Sequence, residues 1–470
     1  MNPIKNALKS ISITMMNVIV AFVFFVITAK ISTPEFFGKV AILQLLEIIV
    51  AAFLFPIRGS IITRETAYLY AKKNIDKRII SSMLFYPLFS FPFLLAFLLF
   101  PTYIKFAIPY LFIYLLFNSA SAVMLGLDLY TEYTIANYVI TIFRWGLSII
   151  AVLLNSIYLL IGIWTLGGLI STIISYLSIF RKIGGMQLFL DLKSIRIFIK
   201  ESFPLYLSAS SSFLSTQGDR VITAYLLGSY YLGIYQFAAL VGGVPSMFLS
   251  NFNSVILPSS SYYKALGSNE TKISALTFKV LSLISIFSAI ISIPIAISVV
   301  YKFFPAYASG IQALIILLLA LTLSVPFTSL SSIIVASKKD LRPFILIAVI
   351  NGITVVSTSY FLIPKIGILG AAISQLIVNI MYSMEVIIYA IRSNVFNLSL
   401  KEIGVTLVTV FIGMFMFFMD SWFIDLILAL SVIIIFRGLK IFTKDEIITI
   451  ISFIPKNMKF LSKILFIFSS

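Results

Sequence analysis

The sequence predicts an all-α, polytopic membrane protein with about fourteen transmembrane helices. Three observations predict it. Of the 470 residues, 60% are hydrophobic and only 11% charged, with a mean hydropathy of +1.10, too little charge to coat a soluble core of that size. Apolar runs of ~18 residues or more, each able to cross ~30 Å of hydrocarbon, recur along the whole chain. The basic residues between those runs crowd onto alternate connections.

The first apolar run, Ile11–Ala29 behind Met1–Lys9, has the basic start of a signal peptide. It is too long for one and no small-residue cleavage site follows, so it reads as a span. Six spans, over residues 10–30, 40–60, 79–100, 106–127, 134–154 and 159–180, precede the longest inward connection, 181–201. Six more follow at 202–226, 233–257, 280–301, 309–335, 344–363 and 367–391, and two last ones at 403–419 and 422–438. The tail, Lys440–Ser470, alternates Lys456, Lys459 and Lys463 with Ile, Leu and Phe, and reads as an amphipathic helix lying on the inner leaflet.

Orientation follows from the basic residues. One side of the predicted spans carries 26 of the 34 Lys and Arg, and the other carries five, Lys30, Lys39, Lys105, Lys302 and Lys365. The rich side should be cytoplasmic, which places both termini there in a cell (cytoplasmic) membrane. The net charge of +17 is thereby explained without a nucleic-acid partner. The chain has no cysteine and no histidine, which excludes disulfides, thiolate and imidazole metal sites and histidine acid–base catalysis. It has no Gly-x-x-x-x-Gly-Lys-Ser/Thr loop either, and so no direct ATP hydrolysis. Outward connections are short, so function is expected inside the membrane, with no metal and no cofactor.

An internal repeat appears at an offset of 195. Lys30–Val40 lies over Tyr225–Tyr235 without a gap, and Ala71–Lys77 lies over Leu266–Lys272. Gly38 matches Gly233, Asn74 matches Asn269 and Lys77 matches Lys272. Six spans separate the copies, so they enter the bilayer in the same sense and form parallel repeats, with a substrate site expected where they meet.

The second copy carries a motif: Pro204-Leu205, then Ser211-Ser-Phe-Leu-Ser-Thr-Gln-Gly-Asp219-Arg220, Leu227-Gly228, Leu232-Gly233-Ile234-Tyr235 and Leu257-Pro258. This resembles the seventh and eighth helices of the polysaccharide (O-antigen-type) flippase family, whose superfamily also holds multidrug-extrusion antiporters and the peptidoglycan-lipid flippase. Thr33-Pro-Glu-Phe-Phe-Gly38 is a looser version in the first copy, and Thr443-Lys-Asp445-Glu446 before Pro455 resembles the family's C-terminal segment. The resemblance implies two six-helix lobes, 1–200 and 201–400, with two further helices and a cytoplasmic tail in 401–470. It also implies alternating access that moves a polyprenyl-(pyro)phosphate-linked oligosaccharide outward, with membrane lipids as partners and exchange of H+ or Na+ as a driving force. Such a carrier is expected to act as a monomer or beside glycan-assembly proteins.

Candidate site residues are the polar groups inside spans. An arginine in hydrocarbon costs ~2.5–3.5 kcal/mol or more and usually faces a wet cavity. Arg144 lies mid-span and either lines a cavity or pairs with a helix carboxylate. Arg220 follows Asp219, and neighbours ~100° apart on a helix do not face each other. Arg58, near the inner end of its span, either reaches the substrate or snorkels to headgroups. On these expectations Arg58, Arg144 and Arg220 attract the phosphate. Glu47 shares a helix face with Arg58 but lies ~16 Å along the axis, too far to pair, so Glu47 and Asp219 are candidate ion-coupling groups. Asn17, Asn118, Gln217, Asn251, Asn253, Gln375 and Asn379 are candidate contacts to sugar hydroxyls, against interhelical hydrogen bonding as the alternative. Glu385 is expected to anchor at the inner interface. A cation-coupled multidrug exporter is the first rival reading, disfavoured by three intramembrane arginines. An integral-membrane glycan-handling enzyme is the second, disfavoured by the lack of a sizeable external loop.

Overall fold

The computed structural model describes residues 3–72, 76–185, 190–265, 270–337, 342–397, 399, 404–406, 422–443 and 446. Those residues are helical nearly throughout and form no strand. Eleven stretches among them are long and apolar enough to cross a membrane. One of these, Leu192–Ser250, contains the predicted span 202–226 and most of 233–257, and Ile427–Gly438 is a shorter apolar helix. The predicted span 403–419, apart from residues 404–406, and most of the tail lie outside the described residues.

Helix α1, Pro3–Ile31, turns Ile11, Met15, Ile19, Phe22, Val26 and their neighbours outward, the stripe expected of a lipid-facing helix. Helix α2, Pro34–Phe53, begins three residues later. Thr33 caps it by accepting from the amide of Phe36 at 3.3 Å, and Pro34 sits at its first position, where no amide is needed. The helix therefore starts earlier than the expected residue 40. It also ends earlier than residue 60, because the chain turns at Leu54–Ile57 around Pro56. Arg58 thus stands between helices rather than inside a span. The connection that follows contains a helix of its own, α3, Gly59–Ala71.

The third span is α4, Lys77–Phe85, continued by a 3-10 turn, the short α5, Phe91–Leu94, and a second 3-10 turn to Leu99. Pro87 and Pro92 explain the broken winding, since neither can donate to the helix ladder. Helix α6, Thr102–Gly126, packs on α3 and on α9, Ile157–Ile183. Between them the fifth span runs as α7, Tyr130–Thr141, a π-helical turn, Ile142–Leu147, and α8, Ser148–Leu153. Gly184, at φ +71°, closes α9 in the left-handed conformation. Helix α10, Leu192–Ala265, starts at Asp191, which accepts from the hydroxyl of Ser194 at 2.5 Å and the amide of Lys193 at 3.1 Å. The Ser194 hydroxyl first, with the backbone amides of Lys193 and Ser194, holds the Asp191 carboxyl below the usual carboxylate range.

The remaining helices are α11, Glu270–Phe303, α12, Ile311–Leu323, α13, Val325–Ala336, α14, Arg342–Ile366, α15, Ile368–Arg392, and α16, Trp422–Gly438. Helices α14 and α15 form a tight hairpin through Gly367, at φ +61°. Lys279 on α11 is buried and binds Glu446 at 3.0 Å, while Glu446 and Thr443 exchange capping hydrogen bonds of 2.9 and 3.3 Å.

The chain forms two compact units, Met1–Phe213 with Leu227–Gly233, and Leu214–Leu226 with Ile234–Ser470. The repeat offset is visible inside the first. Helix α10 is broken at Gly228, φ +78° and ψ −174°, which lies 195 residues after Thr33, the cap between α1 and α2. The matched glycines meet each other. A Cβ on Gly38 would overlap the carbonyl of Ser229 and lie 2.9 Å from the amide of Gly233. A Cβ on Gly233 would overlap the carbonyl of Pro34 and lie 2.9 Å from the amide of Gly38. Pro34 and Ser229 are themselves 195 apart, so the contacts are reciprocal, as across a two-fold axis.

Candidate functional site

In the first unit the side chains of Glu47 on α2 and Arg144 on the π-helical turn form an ion pair. The two residues are 97 positions apart, so the carboxylate, one of the two alternatives for Arg144, comes from α2. Arg58 is not on the face of Glu47, because α2 stops at Phe53. The Arg144 guanidinium lies 4.4 Å from the ring centre of Trp145 and 5.1 Å from that of Trp164. Cation–π contact with two indoles fixes it independently of its carboxylate. Glu47 lies deeper: its side chain is 3% exposed, against 20% for Arg144.

The π turn is what delivers Arg144 here. Winding from residue i to i+5 frees backbone carbonyls from the usual ladder, and such groups need other donors. The Phe143 carbonyl accepts from the Ser148 hydroxyl at 3.1 Å, and the Arg144 carbonyl accepts from the Trp164 indole at 2.8 Å. The same indole lies 2.9 Å from the Ser148 oxygen. Gly167 lets α9 approach this turn, for a Cβ there would overlap the side chain of Phe143. Asn17 accepts from the Trp145 indole at 2.9 Å, so it holds a ring of the site. Asn118 lies beside Tyr114, one helical turn away on α6, close to the pair. Among the described residues, Glu47 Oε1 and Arg144 Nε are buried without a hydrogen-bond partner.

Arg58 has backbone partners. Its two terminal nitrogens donate to the carbonyls of Ala51 and Ala52 at 2.8 Å each, and one also reaches Tyr206 O at 3.2 Å. Its cation lies 5.2 Å from the Tyr206 ring, and its amide donates to Ser202 Oγ at 2.7 Å. These are the terminal carbonyls of α2, the negative end of the helix dipole. Arg58 therefore ties the end of α2 to the first part of α10, helped by the Ser210 hydroxyl on Ala52 O at 2.8 Å.

In the second unit Asp219 is buried and accepts from the Tyr235 hydroxyl, while Arg220 turns to the Gln217 side-chain oxygen at 2.5 Å. The neighbours face apart, as the helix geometry predicts. Asp219 Oδ1 and Arg220 Nε are buried without partners. Gln375 is buried on α15 with its side-chain oxygen unpartnered, and Asn379 donates to the Gln375 carbonyl at 2.8 Å. The side chains of Asn251 and Asn253 lie outside those described. Glu385 accepts from Asn351 on α14 at 2.7 Å, a partner the sequence reading missed because one asparagine in a span carries no distinguishing signal.

A model of the family described as polysaccharide biosynthesis protein matches residues 4–264. A search of curated proteins finds no significant match. Among solved structures the chain is similar to the lipid II flippase MurJ in an inward closed conformation, at 17% identity and a TM-score of 0.64, over 90% of this chain and 100% of that one. It is similar also to an inward-facing multidrug resistance MATE family transporter of the MOP superfamily, at 12% identity and a TM-score of 0.61, over 83% and 98% of the two chains. An outward-facing transporter of that family gives 14% identity and a TM-score of 0.53, over 84% and 96%. At such identities the likeness is one of fold. The family match takes in more than half of the sequence, so this multi-pass membrane protein belongs to the polysaccharide biosynthesis protein family and has the MurJ- and MATE-like transporter fold.

Proposed function

We propose that the protein is a flippase that carries a polyprenyl-(pyro)phosphate-linked oligosaccharide from the inner to the outer leaflet of the cytoplasmic membrane by alternating access. The observation that carries this reading is Arg144: a guanidinium within a membrane-spanning helix, partly accessible, held by two indoles and with a nitrogen still unpartnered. A fixed guanidinium suits the forked recognition of a phosphate oxygen pair. Arg220 is a cation of the second unit, also with a buried nitrogen unpartnered, while Arg58 is spent on α2. Asn118, Gln217, Gln375 and Asn379 supply hydrogen-bonding groups for sugar hydroxyls. Lobes at 1–200 and 201–400, with 401–470 beside them, and cytoplasmic termini belong to the same proposal. The driving force we assign to exchange of H+ or Na+ at Glu47 or Asp219, both buried carboxylates with one unpartnered oxygen.

Thermal unfolding of the purified protein with a polyprenyl-pyrophosphate saccharide tests the reading. A ligand at ~100 times its dissociation constant adds ~2.7 kcal/mol to the folded state. The saccharide lipid should raise the unfolding temperature, salt should weaken the effect, and Arg144→Ala should abolish it. Stabilisation by ethidium and none by the saccharide lipid would move the protein to the multidrug branch of the superfamily.

A further inference from the structure

We propose that Glu47 occupies the anion site of Arg144 as a built-in competitor, which keeps bulk anionic lipid out and admits only a ligand with a stronger phosphate contact. The inference rests on the reading of Arg144 as the phosphate contact and assigns a specificity role to its partner.

Three features carry it. The first is depth: the cation is the accessible member of the pair and the carboxylate lies behind it. An anion arriving at Arg144 thus meets the guanidinium and exchanges with Glu47. The second is that Arg144 keeps its place when the carboxylate leaves. Its cation rests on Trp145 and Trp164, and its carbonyl is held by the Trp164 indole. The third is that the displaced carboxylate has a polar neighbour. Tyr114 on α6, one turn before Asn118, lies near both charges, and Glu47 Oε1 has no partner of its own.

A competitor within the chain raises the apparent dissociation constant of every external anion by the same factor, the inverse of the fraction of sites left open. That uniform factor still discriminates. Anionic phospholipids are abundant in the bilayer and bind a lone guanidinium weakly, so the factor lifts their dissociation constant above their working concentration. A pyrophosphate, with more charge and more acceptor oxygens, stays below its own threshold. Without Glu47, Arg144 would be a bare cation in the membrane and would be filled by whatever anion is commonest.

Intrinsic fluorescence reads the site directly, because Trp145 and Trp164 flank Arg144 and the chain's third tryptophan, Trp422, can be replaced by Phe. Full-length protein in phosphatidylcholine bilayers, with or without phosphatidylglycerol, is titrated with farnesyl pyrophosphate as the probe. The wild-type dissociation constant should be the same in both lipids. Glu47→Gln should bind the probe about tenfold tighter in pure phosphatidylcholine, equivalent to ~1.4 kcal/mol, and should lose that gain when phosphatidylglycerol is present. Glu47→Asp, which keeps the charge on a shorter arm, should fall between. Competition by phosphatidylglycerol in the wild type overturns the proposal whether or not the variants fold. So does a Gln variant that binds no tighter while Arg144→Ala abolishes binding, and that outcome leaves the Arg144 reading intact. Unchanged probe binding in Arg144→Ala removes the Arg144 reading itself.

Discussion

Arg58→Ala separates a helix clasp from a substrate contact. Truncation removes the donors on Ala51 O, Ala52 O and Tyr206 O and the cation over the Tyr206 ring. Ala52 O keeps the Ser210 hydroxyl, so the loss falls chiefly on Ala51 O. A stranded carbonyl costs ~1–3 kcal/mol. The positive charge at the C-terminus of α2 is worth ~0.3–1 kcal/mol, and the contact with Tyr206 ~0.5–1 kcal/mol. The sum is roughly 2–4 kcal/mol after overlap between these terms. The assay pairs unfolding temperature in detergent with binding of a polyprenyl-pyrophosphate ligand to the folded fraction. The clasp predicts a fall of several degrees with affinity within about twofold of wild type. Arg58→Lys should recover less than half of the loss, because an ammonium cannot fork to two carbonyls. A wild-type unfolding temperature combined with lost affinity would refute the clasp and return Arg58 to the binding site.

Other outcomes follow from single contacts. Gly38→Leu should destabilise the protein by ~2 kcal/mol or more, since its Cβ meets backbone that cannot yield. Gly243→Ala, whose Cβ meets only a Leu321 methyl at 3.8 Å, should be tolerated in the same unfolding assay. Tyr235→Phe strips Asp219 of its hydroxyl donor and should cost ~1–3 kcal/mol of stability by thermal unfolding, with Asp219→Asn plus Tyr235→Phe less harmful than the sum of the single changes. In this cysteine-free chain, cysteine at exposed Asn155 should react with an impermeant thiol reagent in intact cells, and cysteine at exposed Lys72 should not.

Spans were legible because hydrophobic length is a local property of the chain. Their ends were not always so. The Thr33-Pro34 start of α2 is a capping signal in the sequence, but hydrophobic length alone weighs neither residue. The end at Phe53 is less legible still: a helix extended to residue 60 places Glu47 and Arg58 on one face, whereas Pro56 turns the chain before that. The repeat at 195 was legible in loop chemistry and is realised in the two chain breaks at Thr33 and Gly228. Ion-pair partners were a different matter. Arg144 and Glu47 each stood out as a charge in hydrocarbon, but nothing local says that two positions 97 apart meet. The partners of Arg58 are backbone carbonyls, which every residue carries and no sequence marks. The π turn at Ile142–Leu147 was equally silent, because its freed carbonyls are satisfied by Ser148 and by Trp164 from another helix.

Transbilayer movement of the ligand tests the central claim most directly. Purified protein is reconstituted into liposomes with a fluorescent polyprenyl-pyrophosphate saccharide in both leaflets, and an impermeant reductant is added outside. Protein-free liposomes should lose about half of the signal, because only the outer leaflet is reached. Liposomes with the wild type should lose nearly all of it, and those with Arg144→Ala should stop at half. Wild-type protein that also stops at half, while moving a cationic dye, would contradict the account.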